Sequence, residues 1–197
     1  MPRLAAGAQA VAAVSDVSLR TEEGKTLGVV GFGRIGRAVA QRALGLEMKV
    51  TAFDPFVRGE TALNGAVLLS QNLEQLLRAS DCVTLHATLS DETRHLIGQP
   101  EFARMKRTAY LVNTSRGPVV DEGALVWALK NRLIAGAGLD VYEREPEIHE
   151  ELFALENVVL APHLGSATTD TRTGMADLAV RNVLAVLSGA PPLTPVP

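Results

Sequence analysis

Gly31-Phe32-Gly33-Arg34-Ile35-Gly36 spaces three glycines as G-x-G-x-x-G, and the chemistry that spacing serves is the cradling of a pyrophosphate. The first glycine permits a tight turn, the second lets the anion approach the backbone, and the third lets a helix pack on a strand. A helix opening at this point adds unpaired N–H groups and a partial positive charge. Alone the hexamer is a weak sign, since glycine-rich stretches occur in many loops. Its setting strengthens it: an apolar run, 26–30, precedes it directly, and a helical pattern, 34–44, follows. Asp54, twenty-three positions after Gly31, closes a second apolar run. A carboxylate there accepts both ribose hydroxyls of adenosine and repels a 2′-phosphate, which favours NAD over NADP. Arg58, close behind, works in the opposite direction, because a basic side chain accommodates that phosphate.

Three further segments put polar residues at the ends of apolar runs, where ligands bind in open parallel sheets. They are Asn113-Thr114-Ser115-Arg116-Gly117, the stretch 138–146 with Asp140, Glu143 and Glu145, and Pro162-His163-Leu164-Gly165-Ser166.

The elements that would position these residues follow from periodicity. Short, β-branched, nearly all-apolar runs lie at 26–30, 48–53, 66–69, 82–86, 109–112, 135–141 and 157–160. Helical spacing separates several of them, at 34–44, 72–79, 100–105 and 121–131, and a last helix is predicted over 169–187. Asn72 precedes Leu73, Leu76 and Leu77, and Asp121 precedes Ala124, Leu125, Ala128 and Leu129, so both are predicted N-caps. In the last helix Met175, Leu178, Ala179, Leu184 and Leu187 lie mostly on one side. Strands this apolar suit a parallel sheet covered on both faces, and their alternation with helices is the mark of βαβ units. The expected fold is therefore α/β, a Rossmann-type doubly wound parallel sheet in a single domain over 24–190. A proline-rich tail, 191–197, cannot continue the last helix, and 1–23 fit no βαβ unit and stay unassigned.

Composition narrows the function classes. Of 197 residues 47% are hydrophobic, enough for a core and too many for a disordered chain. Nineteen basic residues against 22 acidic leave a net charge of −3 with no basic block, which does not favour nucleic acid. The single cysteine, Cys82, cannot form an internal disulfide and reads as a small buried thiol. No apolar stretch reaches the roughly 18 residues of a membrane helix. The Ala-rich opening, Met1 to Val14, has too weak an apolar core for a signal peptide, so the expected location is cytoplasmic.

In order and spacing, Gly31–Gly36, Asn113–Gly117, the 138–146 stretch and Pro162–Ser166 resemble the NAD-binding domain of the D-isomer-specific 2-hydroxyacid dehydrogenases. The resemblance runs from about 24 to 190, and 163–172 is most similar to the glyoxylate/hydroxypyruvate reductases and phosphoglycerate dehydrogenases of that family. It implies an NAD-dependent oxidoreductase that passes hydride between NAD(P)H and a small 2-oxo or D-2-hydroxy acid, with a homodimer as partner state and no metal. It assigns Arg116 to the substrate carboxylate and carbonyl, a task suited to a forked, permanently charged guanidinium. It makes His163 the general acid in reduction and the base in oxidation. Glu145, the carboxylate immediately before proline, would orient and stabilise that imidazole; its rival Glu143, with Glu147, then reads as a solvated charge, and His86 and His95 read as structural. Asp140 would bind the nicotinamide carboxamide, with strand-end capping as its plain alternative. The implied cofactor-contacting set is Gly31, Gly33, Arg34, Ile35, Gly36, Asp54, Thr114, Ser115, Arg116, Asp140, His163 and Gly165.

The family's pattern also has a substrate-binding domain built largely ahead of the cofactor turn, and only 1–30 precede Gly31 here. The expectation is a cofactor half with its catalytic side chains in place and the substrate domain largely absent, binding NAD(H) with weak or no turnover. The last helix, which normally leads back toward that domain, is then expected to pack less well or on a partner. The competing expectation is an NAD(H)-binding or dimerisation module without turnover, as in NAD-responsive corepressors, to which the resemblance extends.

Overall fold

The computed structural model describes residues 24–195; the unassigned segment 1–23 and the end of the tail lie outside the described residues. In chain order its elements are β1 (Thr26–Val30), α1 (Arg34–Gly45), β2 (Lys49–Phe53), β3 (Thr61–Ala62), β4 (Val67–Leu69), α2 (Leu73–Ala79), β5 (Cys82–Leu85), α3 (Gln99–Arg104) and β6 (Tyr110–Asn113). There follow a 3-10 turn (Gly117–Val119), α4 (Glu122–Lys130), β7 (Gly136–Leu139), a second 3-10 turn (Glu150–Ala154), β8 (Val158–Leu160) and α5 (Thr169–Leu187). The strands form one sheet in the order β3-β4-β2-β1-β5-β6-β7-β8. All neighbours are parallel except β3 and β4. This is the doubly wound parallel architecture that the alternation of runs predicts.

Both faces of the sheet are covered, which is why its strands read as unbroken apolar runs. Successive residues of β1 feed opposite cores: Leu27 and Val29 pack with Phe32, Ala40, Ala43 and Val50, whereas Val30 packs with Leu76, Leu77, Phe102, Leu111 and Leu125. The predicted caps are present. The Asn72 side chain accepts from Gln75 N at 2.9 Å and the Asp121 side chain from Ala124 N at 2.9 Å, each contributing about 1 kcal/mol to its helix.

The sequence reading lacks two kinds of element. One is β3, only two residues long and too short for periodicity to reveal; the Asn64-Gly65 pair beside it, with Leu63, Asn64 and Gly65 all at positive φ, is the local hairpin signal. The other comprises the two 3-10 turns. Strand β7 also stops at Leu139, so Asp140 and Val141 leave the run predicted over 135–141.

The chain divides into two compact units, one ending at Pro162 and the other beginning at His163. In the second, Thr168 caps α5 by accepting from Thr171 N at 3.3 Å. No residue of α5 is buried, and Met175, Leu178, Leu184 and Leu187 are exposed. The helix ends at Ser188, and the tail turns back along it: Asn182 accepts from Thr194 N at 3.1 Å and donates to Thr194 Oγ1 at 3.0 Å. Among the described residues no helix is long and apolar enough to cross a membrane.

Candidate functional site

Strand register brings the polar segments of the first unit to one edge. Val30 is level with Phe53 on one side and Leu85 on the other, Leu85 with Asn113, and Asn113 with Leu139. Hydrogen bonds carry the ladder one residue further, from Gly31 N to Phe53 O, His86 N to Val30 O, Asp140 N to Asn113 O and Ala161 N to Leu139 O. Gly31, Asp54, His86, Thr114 and Asp140 therefore stand in a row beyond the carboxyl ends of five adjacent strands. From β1 the chain winds outward through β2 to β4 and β3, then returns to β5 on the other flank of β1. That reversal makes the ends of β1 and β5 the place where a crevice opens in a doubly wound sheet.

The glycine turn lies there, and its three glycines have three different reasons. Gly31 sits at φ 89°, and an ideal Cβ on it would fall 2.6 Å from Ala87 N and from the His86 carbonyl carbon. A Cβ on Gly36 would fall 2.1 Å from Gly31 O. Gly33 differs: it has ordinary extended backbone, φ −75°, and no atom lies within 4 Å of its ideal Cβ. Among the described residues nothing but its chain neighbours comes near that Cβ, so nothing there requires glycine at 33 and an external group can approach it. Gly33 is also the N-cap of α1 and, having no side chain, supplies no cap bond; the first turn holds no acidic residue. This combination fits a pyrophosphate. Gly31→Ala is expected to lower the free energy of unfolding by about 3 kcal/mol through left-handed strain and the backbone clash, read from a denaturant titration.

Asp54 is at the end of β2, as the spacing predicts, and has a further task. Its Oδ2 accepts from Phe32 N at 2.8 Å and its Oδ1 from Phe56 N at 2.9 Å, so the carboxylate ties the glycine turn to the second strand. Each oxygen keeps a lone pair for a ribose hydroxyl. A cavity of about 280 Å³ opens beside it, lined by Phe53, Asp54, Val57, Arg58 and Ser70 among others. Arg34 and Ile35 are exposed at the start of α1, and the Arg37 guanidinium lies over the Phe32 ring, 4.6 Å from its centroid.

The Arg116 loop is folded by a residue outside the predicted site set. Asn113, almost fully buried at the end of β6, accepts from Ser115 N (3.1 Å) and Ser115 Oγ (3.0 Å) and donates to Arg116 O (3.0 Å). Ser115 is buried within this turn, whereas Thr114 and Arg116 are exposed; one guanidinium N–H donates to Ser115 O at 2.7 Å. An Asn two residues before a Ser is the local signal for such an Asx turn.

Acidic groups gather behind this loop. Asp140 is buried at the end of β7, and Glu145 Oε1 accepts from Tyr142 N at 3.0 Å. The buried Tyr142 phenol donates to Ala161 O at 2.8 Å. Burial, then the charges of Asp140, Glu122 and Glu145, push its pKa up to about 12. Glu147 is exposed, as expected. Glu143 is not the solvated charge predicted for it. It is only partly exposed, its Oε1 is 2.8 Å from His95 Nε2, and its backbone N–H donates to Glu122 Oε1 at 2.6 Å. Both partners are far away in sequence and invisible to local pattern. His95 is thus a structural partner, as read. His86 bonds Thr84 Oγ1 at 3.0 Å, and burial holds its pKa below the usual imidazole value; its place at the crevice edge is one that sequence reasoning missed.

His163 opens the second unit, at φ 54°. This left-handed conformation is uncommon outside glycine, though histidine is among the residues enriched there, and such strain clusters at functional positions. Leu164 and Gly165 follow it, exposed.

A family model described as "D-isomer specific 2-hydroxyacid dehydrogenase, NAD binding domain" matches residues 6–165. The glyoxylate reductase of Thermococcus litoralis is 52% identical over 171 residues, covering 86% of this chain and 51% of that protein; the chain spans about half the length of the curated relatives it matches. Among solved structures, a glyoxylate reductase from Paecilomyes thermophila superimposes with a TM-score of 0.83 at 36% identity, over 96% of this chain and 58% of that one. A D-lactate dehydrogenase with NAD+ from Lactobacillus jensenii gives 0.78 at 31% identity, over 88% of this chain and 56% of that one.

Proposed function

The chain belongs to the D-isomer specific 2-hydroxyacid dehydrogenase family, of which it carries the NAD-binding domain, and on that premise we propose that it serves an enzyme passing hydride between NAD(H) and a small 2-oxo or D-2-hydroxy acid of the glyoxylate or hydroxypyruvate type. The observation that carries this reading is the row at the sheet edge. A glycine turn open to a pyrophosphate, the Asp54 carboxylate, the Arg116 loop and Asp140 stand beyond neighbouring strands in register. Relatives that carry the name glyoxylate reductase support the substrate class.

In this reading Gly31, Gly33 and the start of α1, with Arg34, Ile35 and Gly36, hold the pyrophosphate. Asp54 takes the ribose hydroxyls, and Thr114, Ser115, Asp140 and Gly165 border the nicotinamide end. The bound cofactor supplies or accepts the hydride at its nicotinamide ring. Arg116 clamps the substrate carboxylate and draws electron density from the carbonyl. The family's pattern gives His163 the proton donated to the carbonyl oxygen in reduction and taken back in oxidation, and gives Glu145 the role of the supporting carboxylate.

The test has two arms. Titrated with nucleotides, the chain is expected to bind NADH at least about tenfold more tightly than NADPH, because Asp54 repels a 2′-phosphate; absence of NADH binding sinks the reading. Joined to the remaining portion of the Thermococcus litoralis relative, it is expected to oxidise NADH with glyoxylate or hydroxypyruvate. NADH binding without turnover in that fusion would favour a binding module instead.

A further inference from the structure

We infer that Glu143, clasped to Glu122 and His95, is a positioning residue that holds the Arg116 loop against the segment carrying Glu145. The inference rests on the roles proposed above for Arg116 and Glu145, and both residues lie in the first unit.

Three loops must keep a fixed relation for those side chains to act on one substrate: the segment before α3, the turn Gly117–Val119, and Tyr142–Glu145. The first two are joined by backbone. His95 N donates to Pro118 O at 2.8 Å, Ile97 N to Val119 O at 3.1 Å and Asp121 N to Ile97 O at 3.1 Å. The third is joined to them by two carboxylates that exchange partners. Glu122, only 7% exposed at the start of α4, accepts from Glu143 N at 2.6 Å, and Glu143 Oε2 accepts in turn from Glu122 N at 3.4 Å. The other Glu143 oxygen reaches the ring of His95 at 2.8 Å. One side chain thus touches the segment before α3 and the start of α4, which follows the turn Gly117–Val119. A carboxylate suits this because its two oxygens accept independently.

The contact being held is close. An ideal Cβ on Gly117, the residue after Arg116, would lie 1.8 Å from Tyr142 O and 2.5 Å from Glu143 N. The two backbones touch, with no side chain between them to set their spacing. On one side Ile97, Val119 and Tyr142 share an apolar core; the clasp lies on the other. There a cavity of about 590 Å³ opens, lined by the clasp itself and by polar side chains such as Asp121, Glu147 and His149. On that side the hydrogen bonds of Glu143 and Glu122 tie the loops together. His95 sits at φ 51°, a left-handed backbone uncommon outside glycine.

A displacement of about 1 Å at a reacting group can cost a hundredfold in rate, which sets the scale of the test. In Glu143→Ala, hydrogen exchange at the amides of Val119 and Tyr142, neither of which bonds to Glu143, is expected to rise about tenfold while β1 and β5 amides keep their protection. NADH affinity is expected to stay within about twofold, and kcat for glyoxylate reduction by the fusion described above to fall about 10- to 100-fold with KM within about threefold. Glu143→Gln, which keeps an acceptor for Glu122 N and a polar partner for His95, is expected to restore both readouts; general destabilisation would produce neither the local exchange pattern nor the rescue. His95→Gln provides the same local measurement if Glu143→Ala fails to fold. Unchanged exchange at Val119 and Tyr142 overturns the clasp, and accelerated exchange with full kcat overturns the positioning role. A fusion that binds NADH yet reduces no 2-oxo acid counts against the proposed function, and the exchange experiment still decides the clasp.

Discussion

Arg116→Ala, in the fusion with the remaining portion of the Thermococcus litoralis relative, is expected to lower kcat/KM for glyoxylate reduction about a thousandfold while NADH affinity stays within about twofold, a split measured by steady-state kinetics and nucleotide titration on the same preparation. The magnitude follows from what a guanidinium does for an α-oxo acid. Its fork matches the carboxylate with two charge-assisted hydrogen bonds, each about 1.5–3 kcal/mol, and a fixed cation beside the carbonyl stabilises the charge that develops on oxygen, an effect of about a hundredfold or more where single donors are removed. Arg116 is exposed and spends one N–H on Ser115 O, so four of its five donors stay available to a ligand. If it were only a loop fastener, its removal would forfeit that one exposed bond, about 1 kcal/mol of stability, and turnover would persist. Arg116→Lys separates charge from shape: it keeps the cation and loses the fork, and should fall between wild type and alanine. A large loss of NADH affinity in Arg116→Ala would assign the residue to the cofactor instead.

The strands were legible because both faces of the sheet are buried, so runs such as 26–30 and 109–112 carry no polar alternation to obscure them. Asn72 and Asp121 were legible as caps because capping is decided within three residues. The glycine turn and Asp54 could be read from spacing alone, but the bonds from Phe32 N and Phe56 N to Asp54 depend on two strands lying side by side. The same limit explains Glu143. Local pattern offered two glutamates just ahead of Pro146 and no means of seeing that Glu122 and His95, 21 and 48 residues away, would occupy one of them. Asn113 lay inside a motif already singled out, yet its work as the fold of the Arg116 loop becomes evident only with its side chain buried at the end of β6. What sequence conveys here is the kind of group available at each strand end; which groups hold others in place is settled by contacts across the sheet.

Gly33→Val is expected to weaken NADH binding about a hundredfold and to change the free energy of unfolding by less than about 1 kcal/mol. The two halves of this expectation have separate causes. Stability is nearly indifferent because the backbone at 33 is already in a conformation open to any residue and no atom lies within 4 Å of its ideal Cβ. Only a modest loss of N-cap preference remains. Binding is sensitive because a pyrophosphate must come within hydrogen-bond distance of the N–H groups at the start of α1, and the valine methyl groups would stand in that space. Losing about two charge-assisted bonds, at about 1.5 kcal/mol each, corresponds to a hundredfold in affinity. Gly31→Ala provides the opposite control, since it damages folding through contact with His86 and Ala87 before any ligand arrives. Among the described residues nothing accounts for glycine at 33, and a bound pyrophosphate would. Should Gly33→Val bind NADH as wild type does, the pyrophosphate does not rest on this turn, and the assignment of Asp54 to the ribose, which depends on the same placement, falls with it.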